Sequence, residues 1–552
     1  MNQSGKSYGV AVLRGVYVLL CSAMLLFVME TQAQAQSVPT RHMRQEVITG
    51  EARFLNRLPA TQALRLSIAL PLRNESELDD LLQELYDPQS PSFHQFLSVE
   101  EFTERFGPTE EDYAAVIRFA EQNGLTVTGT FPNRMVVDVT GSVADIESAF
   151  HVTMGSYQHP TEQRAFYSPD REPSPDLRVP LWHISGLDNF SIPHPASLRR
   201  APEAKGGTTG SGPSGYFLGS DMRVAYYGGT ALTGAGQSVG LLEFAGYNIT
   251  DVSNYFNKVG QKNTVTVTGV STDGSSLNCT GSCDDTEQVL DIEEAISMAP
   301  GMSQVLVYVS DTSDVSIFNK MATDNKAKSL SCSWGWSPAD PTSDDPIFKE
   351  FAAQGQNLFV ASGDSGAYRS RSRYVYPADD AYVTSVGGTD LTTNGKGGPW
   401  KSETAWSDSG GGISPNNIAI PSYQTTKGVI TTANKGSKTL RNSPDVAAEA
   451  NTDNYICYDG TCAGGWGGTS FAAPRWAGYL ALVNQQSVAL GKSTLGFINP
   501  AIYTIGLGTS YSSAFHDITS GSNGTYSTEK GYDLVTGWGS PNGTGLITAL
   551  AP

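Results

Sequence analysis

Residues 467–474 read Gly-Gly-Thr-Ser-Phe-Ala-Ala-Pro, and an apolar run over 476–483 follows. Ser470 is the candidate nucleophile in this string. The glycines before it let the backbone come close to a substrate, while Ala472, Ala473, Ala477, Leu480 and Ala481 continue at helical spacing. Pro474 fits the first turn of a helix, where its missing N–H is not needed. Ser470 is therefore expected at a helix start, where backbone N–H groups and the positive end of the dipole favour an oxyanion. A serine nucleophile needs a base. Of the seven histidines, His42, His94, His151, His159, His183 and His194 all precede residue 200, and His516 alone follows it. Carboxylates are the other source. Glu287 and Asp291, within Asp-Asp-Thr-Glu-Gln-Val-Leu-Asp-Ile-Glu-Glu-Ala at 284–295, are spaced i, i+4 and share one face of a helix. Such a pair is ordinarily a solvated acidic face. Here the shortage of histidine favours chemistry, because two coupled carboxylates can share a proton and leave one able to accept from Ser470.

Two further constellations stand out. Residues 360–366, Val-Ala-Ser-Gly-Asp-Ser-Gly, are an apolar strand breaking into a tight turn that carries Asp364. Its Gly-Asp-Ser-Gly also matches a trypsin-type nucleophile motif at Ser365, but that reading again lacks its histidine. Near the C-terminus, Phe-His-Asp-Ile-Thr at 515–519 and Gly-Tyr-Asp at 531–533 place Asp517 and Asp533 on Gly-rich loops. Two carboxylates with carbonyls turned inward can build an oxygen-only cation site.

These strings together resemble the sedolisins, the serine-carboxyl peptidases, and the resemblance covers nearly all of the chain after the leader. The serine string is shared by subtilisins and sedolisins. Carried over, Glu287 is the general base and Asp291 orients it. Asp364 is protonated and donates to the tetrahedral intermediate. Glu243 and Trp334 match positions that extend the carboxylate network in a kumamolisin-like subset. The family's calcium site implies one Ca2+ held by the side chains of Asp517 and Asp533 and the carbonyls of Ile518, Glu529 and Gly531. Glu529 stands where a glycine is usual.

The elements that must hold these residues are legible from patterning. The 552 residues are 39% hydrophobic and 16% charged, enough for more than one domain with a large core. The net charge of −19 argues against nucleic acid or an anionic membrane as partner. Residues 1–35 carry Lys6 and Arg14, an apolar stretch over 16–28 and Ala-Gln-Ala at 33–35, the pattern of a secretory signal peptide. That stretch is short for a membrane span. Of the later cysteines, Cys279 with Cys283 and Cys457 with Cys462 suit short-loop disulfides in an exported protein, leaving Cys332 free. A zinc site is the alternative, although no histidine flanks either pair.

Within 36–198, Leu64, Leu66, Ile68 and Leu70 alternate as a strand. Helices open at Asn74, Ser98, Thr109 and Ser142, and 125–131 with 134–139 read as paired strands. This compact α+β (ferredoxin-like) unit resembles a sedolisin prodomain. Residues 199–215 are rich in Gly, Ser, Thr and Pro and read as an exposed linker with the processing site. From 216 to 552, short apolar runs at 239–244, 305–309, 329–334, 358–361 and 383–386 alternate with helical stretches. That is an α/β pattern, a subtilisin-like, largely parallel sheet with helices on both faces and its site at the strands' carboxyl ends.

The expected protein is a secreted, extracellular, self-activating acid endopeptidase. It acts on proteins or peptides, is monomeric, and uses its own prodomain as intramolecular inhibitor and chaperone. The alternatives are a subtilisin-type protease using His516 and an inactive relative that binds rather than cuts.

Overall fold

The computed structural model describes residues 40–196, 199–201, 209–280, 283–337, 339, 341–369 and 374–552. The expected signal peptide and residues 202–208 of the expected linker lie outside the described residues. Among the described residues, no helix is long and apolar enough to cross a membrane.

The N-terminal domain is built from β1 (Ala63–Ala69), α1 (Glu75–Leu85), α2 (Val99–Arg105), α3 (Glu110–Gln122), β2 (Thr126–Thr130), β3 (Val136–Ser142), α4 (Val143–Phe150) and β4 (His183–Ser185). Its sheet runs β2-β3-β1-β4, all antiparallel, which is ferredoxin-like topology once α1 and α2 are taken as an insertion. Alternation turns Leu64, Leu66 and Ile68 into the core. Ser98 and Glu101 close a full capping box, and Thr109 and Ser142 cap α3 and α4. Asn74 does not cap α1; it sits in the left-handed region, and its amide instead donates to the Arg105 carbonyl at 3.0 Å.

The other face of this sheet carries buried polar residues that are paired with a second domain. Ser67 Oγ donates to Asp138 at 2.7 Å, and Ser316 of the larger domain donates to the same carboxylate at 3.0 Å. Two short strands follow, β5 (His194–Pro195) and β6 (Arg199–Arg200).

The larger domain is organised by an eight-stranded sheet. Its strands are β7 (Ser238–Glu243), β8 (Thr266–Ser271), β9 (Gln304–Val309), β10 (Ser329–Cys332), β12 (Asn357–Ala361), β13 (Thr384–Thr393), β14 (Trp400–Ala405) and β15 (Val446–Glu449); β11 (Trp334–Gly335) lies just off it. The order is β8-β9-β7-β10-β12-β13-β14, with β15 also on β13. All pairs are parallel except β13 with β14. These strands are covered on both faces and are correspondingly almost wholly buried. Helix α5 (Thr286–Met298) packs against the long helix α8 (Thr469–Ala489), which crosses β10, β12, β13 and β15. Helices α6 (Asp314–Asp324) and α7 (Asp345–Ala353) meet the N-terminal domain, and the hairpin of β16 (Asn454–Tyr458) and β17 (Thr461–Gly467) leads into α8. Cys279 is bonded to Cys283, and Cys457 to its cross-strand partner Cys462. Cys332 is free and buried.

Candidate active site

The sheet delivers the expected residues to the carboxyl ends of its parallel strands. Glu243 is the last residue of β7, Ser333 and Trp334 follow β10, and Asp364 follows β12. From the opposite side come Ser470 and Thr469 at the start of α8, and Glu287 and Asp291 on α5. The chain turns from β17 into α8 at Gly468, whose φ of 156° is open to glycine. Pro474 lies one turn deeper in α8 than the sequence suggests. The proline has no N–H to give the carbonyl of Ser470, and that oxygen instead faces the Ser333 hydroxyl at 3.4 Å.

Ser470 is fully buried, and its Oγ has no hydrogen-bond partner among the described residues. Glu287 approaches it from α5, near enough for the hydroxyl to favour the carboxylate form, yet just outside hydrogen-bond geometry in this state. Burial holds Glu287 well above the usual carboxylate range, and the charges of Glu243 and Asp364 add to this. Asp291 is likewise raised, by burial and then by Glu243 and Glu287, while its Oδ1 accepts from Ser333 Oγ at 2.8 Å. Glu243 accepts from the Trp334 indole at 2.9 Å and is pushed up to about 8 by burial. Three buried carboxyls thus feel one another's charge, a setting in which protons are shared.

Asp364 is tied to the nucleophile's helix. Its Oδ1 accepts from the Thr469 N–H at 2.7 Å and the Thr469 hydroxyl at 2.8 Å, and that hydroxyl accepts from Gly363 N–H at 3.0 Å. Sequence reasoning missed Ser333 and Thr469 as contributors, although each is the immediate neighbour of a residue it singled out. His516 is not part of this group. Its ring lies flat on Trp400, with centroids 3.8 Å apart, and burial pushes it down to about 4.

The cleft is occupied by the chain itself. β5 pairs antiparallel with β11, and Ala196 N–H donates to Ser333 O at 3.0 Å. β6 then pairs antiparallel with β17, Arg199 opposite Gly467, and Ala201 N–H donates to Gly465 O at 2.8 Å. Ala196 also lines a small cavity of about 20 Å³ with Gly363 and Asp364. Described backbone on either side of residues 197–198 is thus paired with the strand that holds Trp334 and the strand that precedes Ser470. The segment anticipated as an exposed linker from residue 199 starts as a strand in this cleft.

Asp517 and Asp533 converge elsewhere, and both charges reach the Tyr511 phenol. Asp517 accepts from Tyr511 OH at 2.9 Å and Gly531 N–H at 3.1 Å. Asp533 accepts from Glu529 N–H at 3.1 Å and Thr536 N–H at 2.8 Å. Ile518 is buried beside them. No group of three or more His, Cys, Asp or Glu suited to a metal is found among the described residues, so any cation here would need backbone carbonyls as well. Two carboxylates meeting the 529–531 loop fit such a hard-cation donor set.

Comparison with known proteins bears on the family. The pro-kumamolisin activation domain matches residues 51–190, and the subtilase family matches residues 281–497. Kumamolisin of Bacillus sp. (strain MN-32) is 31% identical over 551 residues, covering 92% of this chain and 97% of that one. Sedolisin of Pseudomonas sp. (strain 101) is 29% identical, covering 88% of this chain and 86% of its own. Human tripeptidyl-peptidase 1 is 26% identical over 90% of this chain and 93% of its own. Among solved structures, Pseudomonas sedolisin, a serine-carboxyl proteinase complexed with pseudo-iodotyrostatin, matches with a TM-score of 0.52 at 28% identity, over 62% of this chain and 98% of that one.

Proposed function

We propose that this chain, which belongs to the kumamolisin–sedolisin family of serine-carboxyl peptidases and is a serine-type peptidase carrying an activation domain, is a secreted acid endopeptidase that processes itself. The observation that carries the reading is the meeting of Ser470 with Glu287 across two facing helices, while His516 stacks on Trp400.

In this reading Ser470 Oγ attacks the scissile carbonyl as its proton passes to Glu287. Asp291, fixed by Ser333, holds Glu287, and Glu243 with Trp334 extends the proton-sharing group. Asp364 and the Ser470 N–H bind the oxyanion. Glu287 returns the proton to the leaving amine, and water then repeats the sequence on the acyl-enzyme. Coupling among these buried carboxyls lets them share protons, so that one can stay ionised and accept from Ser470 while its neighbours hold theirs. Calcium, bound by Asp517, Asp533 and the carbonyls of Ile518, Glu529 and Gly531, would supply a structural cross-link between two loops and takes no part in the chemistry.

The N-terminal domain acts as inhibitor, with residues 194–196 and 199–201 paired beside the site as parts of a tethered substrate. Pairing of His194–Pro195 with β11 and of Arg199–Arg200 with β17 supports a self-cut between Ala196 and Arg199. Ser470→Ala, expressed without other proteases, is expected to persist as full-length precursor, while the parent's mature N-terminus falls at residues 197–199. Parent-like maturation of Ser470→Ala would show that processing is external and contradict the proposal.

A further inference from the structure

Helix α5 carries an unusual load. Glu287, Asp291 and Glu294 succeed one another at i+4 and i+3, so they line one face, and Glu293 is beside them. All four are buried. The cation opposite them is Arg475 on α8, itself 1% exposed. Its Nε donates to Glu294 Oε2 at 2.7 Å, Nη1 to the Glu449 carbonyl at 2.6 Å and Nη2 to Asn454 Oδ1 at 2.7 Å. Its guanidinium also lies 5.3 Å from the centroid of the Phe471 ring, next to the nucleophile. One side chain therefore joins the base's helix, the nucleophile's helix, the end of β15 and the start of the β16–β17 hairpin. Burial alone would lower Arg475, but Glu294 and Glu449 outweigh it and keep it charged. Tyr226 also faces Arg475, and Tyr255 faces Glu294 and Glu293.

The position of this pair matters more than its strength. Arg475 is five residues beyond Ser470, about 7.5 Å along the axis, and Glu294 is seven beyond Glu287, about 10.5 Å. Past the pair the two helices touch through a smooth contact. A Cβ on Gly478 would meet Met298 Cβ at 2.8 Å and the Ala295 carbonyl at 2.9 Å. That apolar contact carries no directional bond, whereas the charge-assisted bonds from Arg475's planar fork are directional. Glu287 and Ser470 stand just outside hydrogen-bond geometry, so a small axial slip would decide whether they engage.

We propose that Arg475 and Glu294 form a positioning clamp that sets the register of α5 against α8 and thereby the approach of Glu287 to Ser470. The inference rests on those two residues being base and nucleophile. It is tested on the full chain after activation in acid, with active sites titrated by a peptide aldehyde and kcat and KM measured on a peptide substrate. Glu294→Gln keeps an acceptor of the same shape. It should lower kcat per titrated site about tenfold with KM within about twofold. Arg475→Lys keeps the charge but loses the fork, and should fall further. Unchanged kcat per titrated site in Glu294→Gln, whatever its melting temperature, would overturn the clamp, and this variant decides alone if Arg475→Lys does not fold. Ser470→Ala runs alongside. Activity surviving there brings down the nucleophile assignment and the clamp with it; a dead Ser470→Ala beside a fully active Glu294→Gln brings down the clamp only.

Discussion

Asp364 must hold a proton to donate to an oxyanion, and Glu287 must lose one to accept from Ser470. The first requirement sets an alkaline limb and the second an acid limb, so activity should be bell-shaped. The geometry says which substitution separates them. Asp364 Oδ1 already accepts from Thr469, so its other oxygen is the donor in this account. Asparagine can keep the first contact and donate at every pH. Asp364→Asn should therefore stay active and extend toward neutral pH, while Asp364→Ala should lose on the order of a hundredfold in kcat. Profiles of kcat/KM for the three proteins check this, and an unmoved alkaline limb in Asp364→Asn contradicts it. At this scale the sequence was informative about residues that announce themselves by type. Ser470, Glu287, Asp291 and Asp364 each sit in a distinctive string. Ser333, Thr469 and Arg475 lie in or beside such strings but are not marked by type, because their contribution is a hydrogen bond made across the fold, and nothing in their neighbours along the chain specifies that partner.

At the scale of elements, local signals read well where the cause is local. The Ser98 capping box, the Thr109 and Ser142 caps and the alternation of β1 all follow from neighbouring residues. Asn74 and Pro474 depart from expectation because tertiary partners intervene. Asn74 serves Arg105, and Pro474 releases the Ser470 carbonyl to Ser333. Residues 199–201 looked like linker from composition, yet a β-edge recruits almost any extended backbone. The loops around Asp517 and Asp533 carry a further expectation. If a calcium ion joins them, chelation should lower the melting temperature by several degrees, because the cation binds the folded state only. An identical melting curve with and without chelator removes the ion from the account.

On the scale of the whole molecule, the contact between domains is rich in buried carboxyls. Glu350 of α7 accepts from Asn133 of the N-terminal domain at 2.8 Å and from Gln354 at 2.6 Å, and burial raises it to about 8. A carboxyl raised on folding stabilises the protein fully below its unfolded value, near about 4.5, and that stability is lost as pH rises toward about 8. For Glu350 the loss is up to about 3 kcal/mol by pH 7. Glu350→Gln should be tolerated, since the Gln354 amide oxygen has no partner among the described residues and can turn to accept from the new amide. Melting of the Ser470→Ala precursor from about pH 5 to 8 should show a decline that Glu350→Gln makes shallower. Equal slopes would mean that Glu350 does not titrate in this interval.

The account as a whole depends on a carboxylate, not an imidazole, activating Ser470. The direct test is kcat on a denatured protein at acid pH for Glu287→Gln and His516→Ala, each measured per correctly folded molecule. The account predicts that Glu287→Gln loses about a thousandfold or more, while His516→Ala stays within about threefold of the parent. Full activity in Glu287→Gln together with collapse in His516→Ala would contradict it.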